Sequence, residues 1–279
     1  MREERLTVRD IVDLIETAIP VSLQEEWDNS GLLVGFEDVK VERILTCLEI
    51  TDDVIDEALS KGIDLIVTHH PIIFGSVRHI RNKDIVGANI MKLIQNGISV
   101  YSSHTPFDKV SGGNNDALAG LLGLKKVTDL AGGSIPSPDK MLEHPSEMHM
   151  GRIGELKKAV PFSQVIDLVC NELKLSRRKL HAVGNMDTNI QKIGICTGAG
   201  AEYARQAEAQ GCQLFITGDL KYHQAQEAKS LGICVLDAGH YGTEKIFSAV
   251  MKVQLEKIIG DESIEIEASD IDIDPFTEL

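Results

Sequence analysis

Residues 43–70 (R43-I-L-T-C-L-E-I-T-D-D-V-I-D-E-A-L-S-K-G-I-D-L-I-V-T-H-H70) lie without a gap over residues 192–219 (K192-I-G-I-C-T-G-A-G-A-E-Y-A-R-Q-A-E-A-Q-G-C-Q-L-F-I-T-G-D219) when the chain is set against itself at an offset of 149. Ile44, Cys47, Ala58, Gly62, Leu65 and Thr68 recur as Ile193, Cys196, Ala207, Gly211, Leu214 and Thr217. Each copy reads as a buried strand, a helix closed by a glycine, and a second apolar strand ending at threonine, which is a βαβ unit. Each is followed by another helical stretch and a further strand, Gly97–Ser103 in the first copy and Gly232–Asp237 in the second. The expected fold class is therefore α/β: two α/β domains related by an internal βαβ repeat, with mainly parallel strands and the chemistry-bearing side chains at the strands' C-terminal ends between them.

The wider chain fits that frame. Its 279 residues are enough for about two domains, each with a core that needs neither disulfides nor a structural metal. The glycine- and proline-bearing stretch from Thr128 to Glu147 breaks the pattern as a connection would. The expected organisation is a discontinuous domain of 1–127 and 237–279 carrying most of the candidate ligands, with 128–236 inserted as the second. The return of the chain at 237 is inferred from chemistry, because it lets His240 meet the ligands of the first half. A helix is expected near Phe162–Leu173.

A net charge of −15 argues against a protein that gains affinity by neutralising phosphates, so nucleic acid is disfavoured as a partner. Eight acids and no Lys or Arg fall between Asp261 and Leu279, so about half of that charge sits in the closing segment. There Ile264, Ile266, Ile271 and Ile273 alternate with acids, as in a half-buried edge strand. Charges scattered through Met1–Pro20 leave no apolar signal core, and no run of 18 apolar residues occurs, so the expectation is a cytoplasmic protein with no membrane partner. Five cysteines without a C-x-x-C pattern read as small core residues.

Nine histidines are present, and three groups of them stand at strand ends. His69 and His70 follow the apolar run Ile63–Val67, and side chains adjacent on an extended chain should diverge, facing two neighbouring ions better than one. His104-Thr-Pro-Phe-Asp108 and His240-Tyr-Gly-Thr-Glu244 repeat a His-x-x-x-carboxylate spacing, which places both side chains on one face if a helical turn forms. This mixed N/O set is too rich for one ion. Two divalent cations about 3.5–4 Å apart would satisfy it, with zinc, iron or manganese better suited than calcium or magnesium. Asp219 and His223 could orient ligands or move protons.

With these residues in view, the chain resembles the Nif-three-like family, also called dinuclear metal centre proteins and often labelled GTP cyclohydrolase type I, class 2. The resemblance runs nearly end to end. It rests on E26-W-D-N-S-G-L-L-V-G35, T68-H-H-P-I-I-F74, S103-H-T-P-F-D108, G151-R-I-G-E155, T217-G-D-L-K-Y-H223, D237-A-G-H-Y-G-T-E244 and D274-P-F276. It implies two α/β domains, a pair of divalent ions, and a ring-shaped homohexamer with metal sites facing an internal cavity. By motif position it implies the metal ligands His69, His70, Asp108, His240 and Glu244, with His104 beside them.

The resulting functional expectation is a dinuclear metal-dependent hydrolase, GTP cyclohydrolase-like, acting on a nucleotide or similar small molecule, with His104, Asp219 and His223 as the catalytic candidates. The competing reading is a non-catalytic metal-binding regulatory or scaffold protein. No guanine-reading motif is present, so the substrate does not follow from the residues. Trp27 is expected to be a mostly buried packing anchor rather than a substrate platform.

Overall fold

The computed structural model describes residues 5–133 and 149–278, so His144 and most of the expected Thr128–Glu147 connection lie outside the described residues. The chain divides into two compact units, Met1–Val110 with Phe247–Ile273, and Ser111–Ile246 with Asp274–Leu279.

In the first unit five strands stand in the order β1 (Gly31–Val34), β4 (Ser99–Ser102), β3 (Leu65–Thr68), β2 (Arg43–Cys47) and β11 (Glu265–Ala268). All pair in parallel except β1 with β4. Every residue of β3 and β4 is buried, as a parallel sheet covered on both faces requires. Helix α2 (Asp52–Lys61) starts at Thr51, whose hydroxyl accepts the Val54 amide, and stops at Gly62 in the left-handed conformation. Helix α1 (Val8–Ala18) opens with a capping box between Thr7 and Asp10. Helix α3 (Ile85–Gln95) buries Ile90 and Leu93 in the core that Leu45, Ile66 and Val100 build from the sheet.

Helix α10 (Phe247–Ile259) packs against β2 and β11, burying Phe247, Met251 and Leu255. The acidic closing segment behaves as its alternation demands. Strand β11 forms the sheet edge on β2, Ile264 and Ile266 are buried, and Ile271 and Ile273 pack against the core while the intervening acids face out.

The second unit has six strands in the order β5 (Lys125–Asp129), β6 (Arg152–Pro161), β8 (Asn189–Ile195), β9 (Leu214–Thr217), β10 (Cys234–Asp237) and β7 (His181–Val183). Only β8 with β9 and β9 with β10 are parallel. The other pairings are antiparallel, so the expectation of mainly parallel strands holds for the first sheet and for the centre of the second. The repeat is kept in register: Ile44 faces Leu65 in the first unit, and Ile193 faces Leu214 in the second.

Helix α6 (Phe162–Leu173) forms where its periodicity places it. With helix α5 (Asn114–Leu121) it covers β8 and β9, burying Leu118, Val165 and Val169 against Ile193 and Leu214. Helices α7 (Ala204–Ala209) and α8 (Tyr222–Leu231) complete the unit's βαβ crossovers, with Ala207 and Ala228 buried around Phe215 and Val235.

The expected domain boundaries are 127/128 and 236/237, whereas the compact units divide at 110/111, 246/247 and 273/274. Helix α5 and strand β5 belong to the second unit, since Leu118 and Ala119 enter its core and β5 pairs antiparallel with β6. The glycine- and proline-bearing stretch thus connects two paired strands of one sheet. Turn residues mark a change of chain direction, and both a hairpin and a domain boundary need one.

Cys47, Cys196, Cys212 and Cys234 are buried and Cys170 is half-buried, and none is joined in a disulfide. Burial pushes the Cys47 thiol up to about 12 and the Cys212 thiol up to about 11, which suits packing rather than reactivity. No described helix is long and apolar enough to cross a membrane.

One ion pair anchors the second unit. Arg152, fully buried, donates Nε–H to Asp116 Oδ1 at 2.7 Å and Nη1–H to the Gly151 carbonyl at 2.8 Å. Asp116→Ala takes one paired carboxylate away from a buried guanidinium and is expected to lower unfolding stability by about 3–5 kcal/mol. Urea denaturation followed by circular dichroism measures this, and a change below about 1 kcal/mol would show that the pair is dispensable.

Candidate metal centre

The first unit gathers three imidazoles and a carboxylate at the C-terminal ends of β3 and β4. Strand β3 ends at Thr68, and the chain runs on with His69 N–H donating to the Cys47 carbonyl (3.2 Å) and His70 N–H to the Leu48 carbonyl (2.9 Å). The two side chains were expected to diverge as neighbours on a strand do. Instead their ring centroids lie 5.2 Å apart with the planes inclined by 35°, because the regular strand has already ended. One ligating atom from each of His69, His70 and His104 lies within 4.8 Å of the others. His69 is fully buried, and Phe247 stacks at 4.8 Å from its centroid.

Helix α4 (Thr105–Lys109) begins one residue after His104, which stands outside it with φ −88° and ψ −110°. His104 and Asp108 therefore do not share a helical face, contrary to the expectation from their spacing. Asp108 meets His69 instead, with Nε2 to Oδ2 at 3.6 Å and both side chains nearly inaccessible. His104 turns to Asp28, donating Nδ1–H to Oδ1 at 2.7 Å. Asp28 Oδ2 accepts the Thr105 amide (3.1 Å), the Thr105 hydroxyl (2.5 Å) and the Ser30 hydroxyl (3.0 Å). Burial alone would raise the Asp28 pKa, but hydrogen bonding and charge from His104, with Thr105 and the Asn29 amide, hold it well below the usual carboxylate range.

The second unit carries a smaller set. Helix α9 (His240–Glu244) begins at His240 itself, so here the four-residue spacing does bring the pair together, Nε2 to Oε2 at 2.9 Å. Asp219, at the end of β9, accepts His240 Nδ1–H at 2.8 Å. Glu244 is buried against Gly198, whose φ of +65° and missing Cβ both matter. A Cβ there would stand 2.1 Å from Glu244 Oε1 and 3.4 Å from His240 Nε2. The Gly198 amide donates to Thr243 Oγ1 at 2.9 Å, fixing the loop against α9.

In three of these imidazoles Nδ1 faces an oxygen that can only accept: the Ser103 carbonyl for His69 (2.9 Å), Asp28 for His104 and Asp219 for His240. For His69 and His104 this places the proton on Nδ1 and leaves Nε2 able to bind a cation, while His240 has a carboxylate against each nitrogen, Asp219 at Nδ1 and Glu244 at Nε2. His70 Nδ1 lies 3.7 Å from Glu49 Oε2, a looser version of the same arrangement. This donor chemistry fits metal binding.

His223, the remaining candidate, is exposed on α8, where its ring meets Tyr222. Asp28, Glu49 and Gly198 were not recognised as site residues. Asp28 lies inside the E-W-D-N stretch, yet no spacing rule links it to a histidine 76 positions away. The expectation that Trp27 is mostly buried fails: it is 58 % exposed, with ring contacts to Phe74 at 6.0 Å and His104 at 5.8 Å. The buried member of that segment is Asp28, whose side chain is inaccessible to solvent.

Comparison with known proteins gives a consistent picture. A profile of the family described as Duf34/NIF3 (NGG1p interacting factor 3) matches residues 6–275. A Clostridium acetobutylicum protein named GTP cyclohydrolase 1 type 2 homolog is 36 % identical over 273 residues, covering 97 % of this chain and 98 % of that protein. Its namesake from Clostridium perfringens is 35 % identical over 97 % and 99 %. Among solved structures, a Staphylococcus aureus hypothetical protein superposes with a TM-score of 0.88 at 29 % identity, covering 99 % of this chain and all of the other. Reduced HcgD from Methanocaldococcus jannaschii gives 0.74 at 27 % identity, with 95 % and 98 % covered.

Gly198→Ala is expected to displace Glu244 and lower cation retention at least about 10-fold. Gly211→Ala, which meets nothing within 4 Å although Gly211 also has positive φ (+80°), is the control. Both variants bear the left-handed backbone penalty of about 1–2 kcal/mol. Elemental analysis after chelator dialysis separates them, and equal metal contents would show that the Gly198 cradle is irrelevant to binding.

Proposed function

The chain belongs to the Duf34/NIF3 family, and from that premise we propose that it is a dinuclear metal-dependent hydrolase acting on a nucleotide or a similar small molecule in the cytoplasm. The observation that carries this reading is the common orientation of His69 and His240, each with Nδ1 against a fixed oxygen and Nε2 toward a carboxylate, Asp108 and Glu244 in turn. Surface or core histidines satisfy either nitrogen as convenience allows, whereas a set with one tautomer enforced is what metal ligation requires.

The residues proposed to hold the ions are His69, His70, Asp108, His240 and Glu244. Imidazole and carboxylate without thiolate suits zinc, iron or manganese. Bound there, such ions lower the pKa of water toward neutrality and polarise a substrate oxygen.

The chain's own side chains supply the rest. Asp28 holds the His104 ring by one face-fixed hydrogen bond, so His104 Nε2 can take up or return a proton in a constant position. Asp219 does the same for orientation at His240, acting as a positioning residue. Because His223 is exposed and its ring contact is with Tyr222, proton transfer is assigned to His104. The name shared by the Clostridium relatives supports GTP as the first substrate to assay. The family resemblance supports a homohexamer.

Purified protein loaded with zinc, iron or manganese is expected to hydrolyse GTP or a phosphodiester. His69→Ala and Glu244→Ala should each lower kcat/KM by at least about 100-fold, because each removes a ligand rather than a substrate contact. Activity that survives both substitutions overturns the proposal. So does a full complement of tightly held, non-exchanging metal with no turnover, which would assign the chain a structural or regulatory role.

A further inference from the structure

We propose that Trp27 and Phe74 form a stacking platform for the planar heterocyclic ring of the ligand, a purine base, beside the imidazoles of the first unit. The inference rests on the nucleotide reading above and narrows it to the part of the nucleotide that these residues meet.

Trp27 is 58 % exposed and Phe74 63 % exposed, although both stand next to a largely buried polar cluster. Their centroids lie 6.0 Å apart with planes inclined by 54°, and His104 meets them edge-on at 5.8 Å and 6.3 Å. Large aromatic surfaces left in water forgo the burial that normally makes such side chains stabilising, so two of them held together call for a ligand.

Both rings stand on anchored backbone. The residue after Trp27 is Asp28, whose inaccessible carboxylate is fixed by Ser30, His104 and Thr105. The next, Asn29, donates its side-chain N–H to the Ile73 carbonyl at 2.7 Å, tying the segment of Trp27 to that of Phe74. A fixed, preorganised aromatic pair lowers the ordering cost of binding.

The chemistry selects the occupant. A flat heterocycle gains stacking energy from a small aromatic area, and the neighbouring imidazole edge supplies the few placed polar groups that fix its orientation. Stacking of this kind is tolerant of ring substituents, so the platform recognises the class of base rather than one base.

Trp27 is the single tryptophan of the chain, so its emission reports this site alone. Guanosine 5′-monophosphate is expected to quench it saturably in the full-length protein, and ribose 5-phosphate to leave it unchanged. Phe74→Ala keeps the signal and should weaken guanosine 5′-monophosphate binding about 5- to 100-fold. Trp27→Ala should do the same by equilibrium dialysis, with Trp27→Phe restoring most of the affinity.

Equal quenching by the two ligands, or unchanged affinity in Trp27→Ala, overturns the platform. Emission already shielded from iodide without nucleotide would mean that a second copy covers the rings, and overturns it as well. Quenching without turnover of any nucleotide upholds the platform while the hydrolase reading fails. Turnover with KM unchanged in Trp27→Ala does the reverse.

Discussion

A hydrogen bond from Nδ1 to a fixed oxygen is the constraint on which the candidate centre depends. An imidazole free to rotate about χ2 presents either nitrogen and binds a cation weakly, whereas one pinned at Nδ1 presents Nε2 at a set position. The three oxygens come from different sources: a strand-end carbonyl at Ser103, a fully buried carboxylate at Asp28 and a solvent-facing one at Asp219. Those acceptors are held by the fold rather than by the histidines. Ser103 N–H bonds the Thr68 carbonyl in continuation of the β3–β4 ladder, and Asp28 is fixed by the first residue of α4.

The duplicated βαβ unit explains why such groups stand at strand ends in both halves, and also how the halves diverged. Strand registers are the same at an offset of 149, yet the tips differ. Where the first copy carries His69 and His70 after its second strand, the second carries Gly218 and Asp219. The imidazole position has become a carboxylate that orients an imidazole arriving from α9. After the first strand of the repeat, Glu49 in one copy corresponds to Gly198 in the other, and the lost side chain is the space that the Glu244 carboxylate occupies.

The two His-x-x-x-carboxylate pairs show how one residue of register separates similar motifs. In α9 the histidine is the first helical residue and reaches the carboxylate one turn on. In α4 the histidine precedes the helix, and its backbone angles aim it at Asp28 while Asp108 serves His69. Both arrangements use all four residues, but for different contacts. The E-W-D-N segment makes a similar point. Apolar Trp27 is out and acidic Asp28 is in, because the carboxylate is satisfied by donors from Asn29, Ser30, His104 and Thr105, and a buried satisfied charge outranks the usual preference for burying an indole.

What the chain's residues determined alone is considerable: the α/β class, the repeat and its strand register, the helix at Phe162–Leu173, the half-buried acidic edge, and the strand ends as the place where imidazoles and carboxylates gather. These follow from hydrophobic periodicity and turn residues, which act over a few positions and are written locally. Tertiary structure decided the rest. It set the unit boundary ahead of α5 and β5, the side on which His104 closes, the exposure of Trp27, and the surroundings of Asp28, Glu49 and Gly198. Each of these depends on a contact between residues far apart in the chain, and a hydrogen bond spanning 76 positions leaves no period in the sequence to be read.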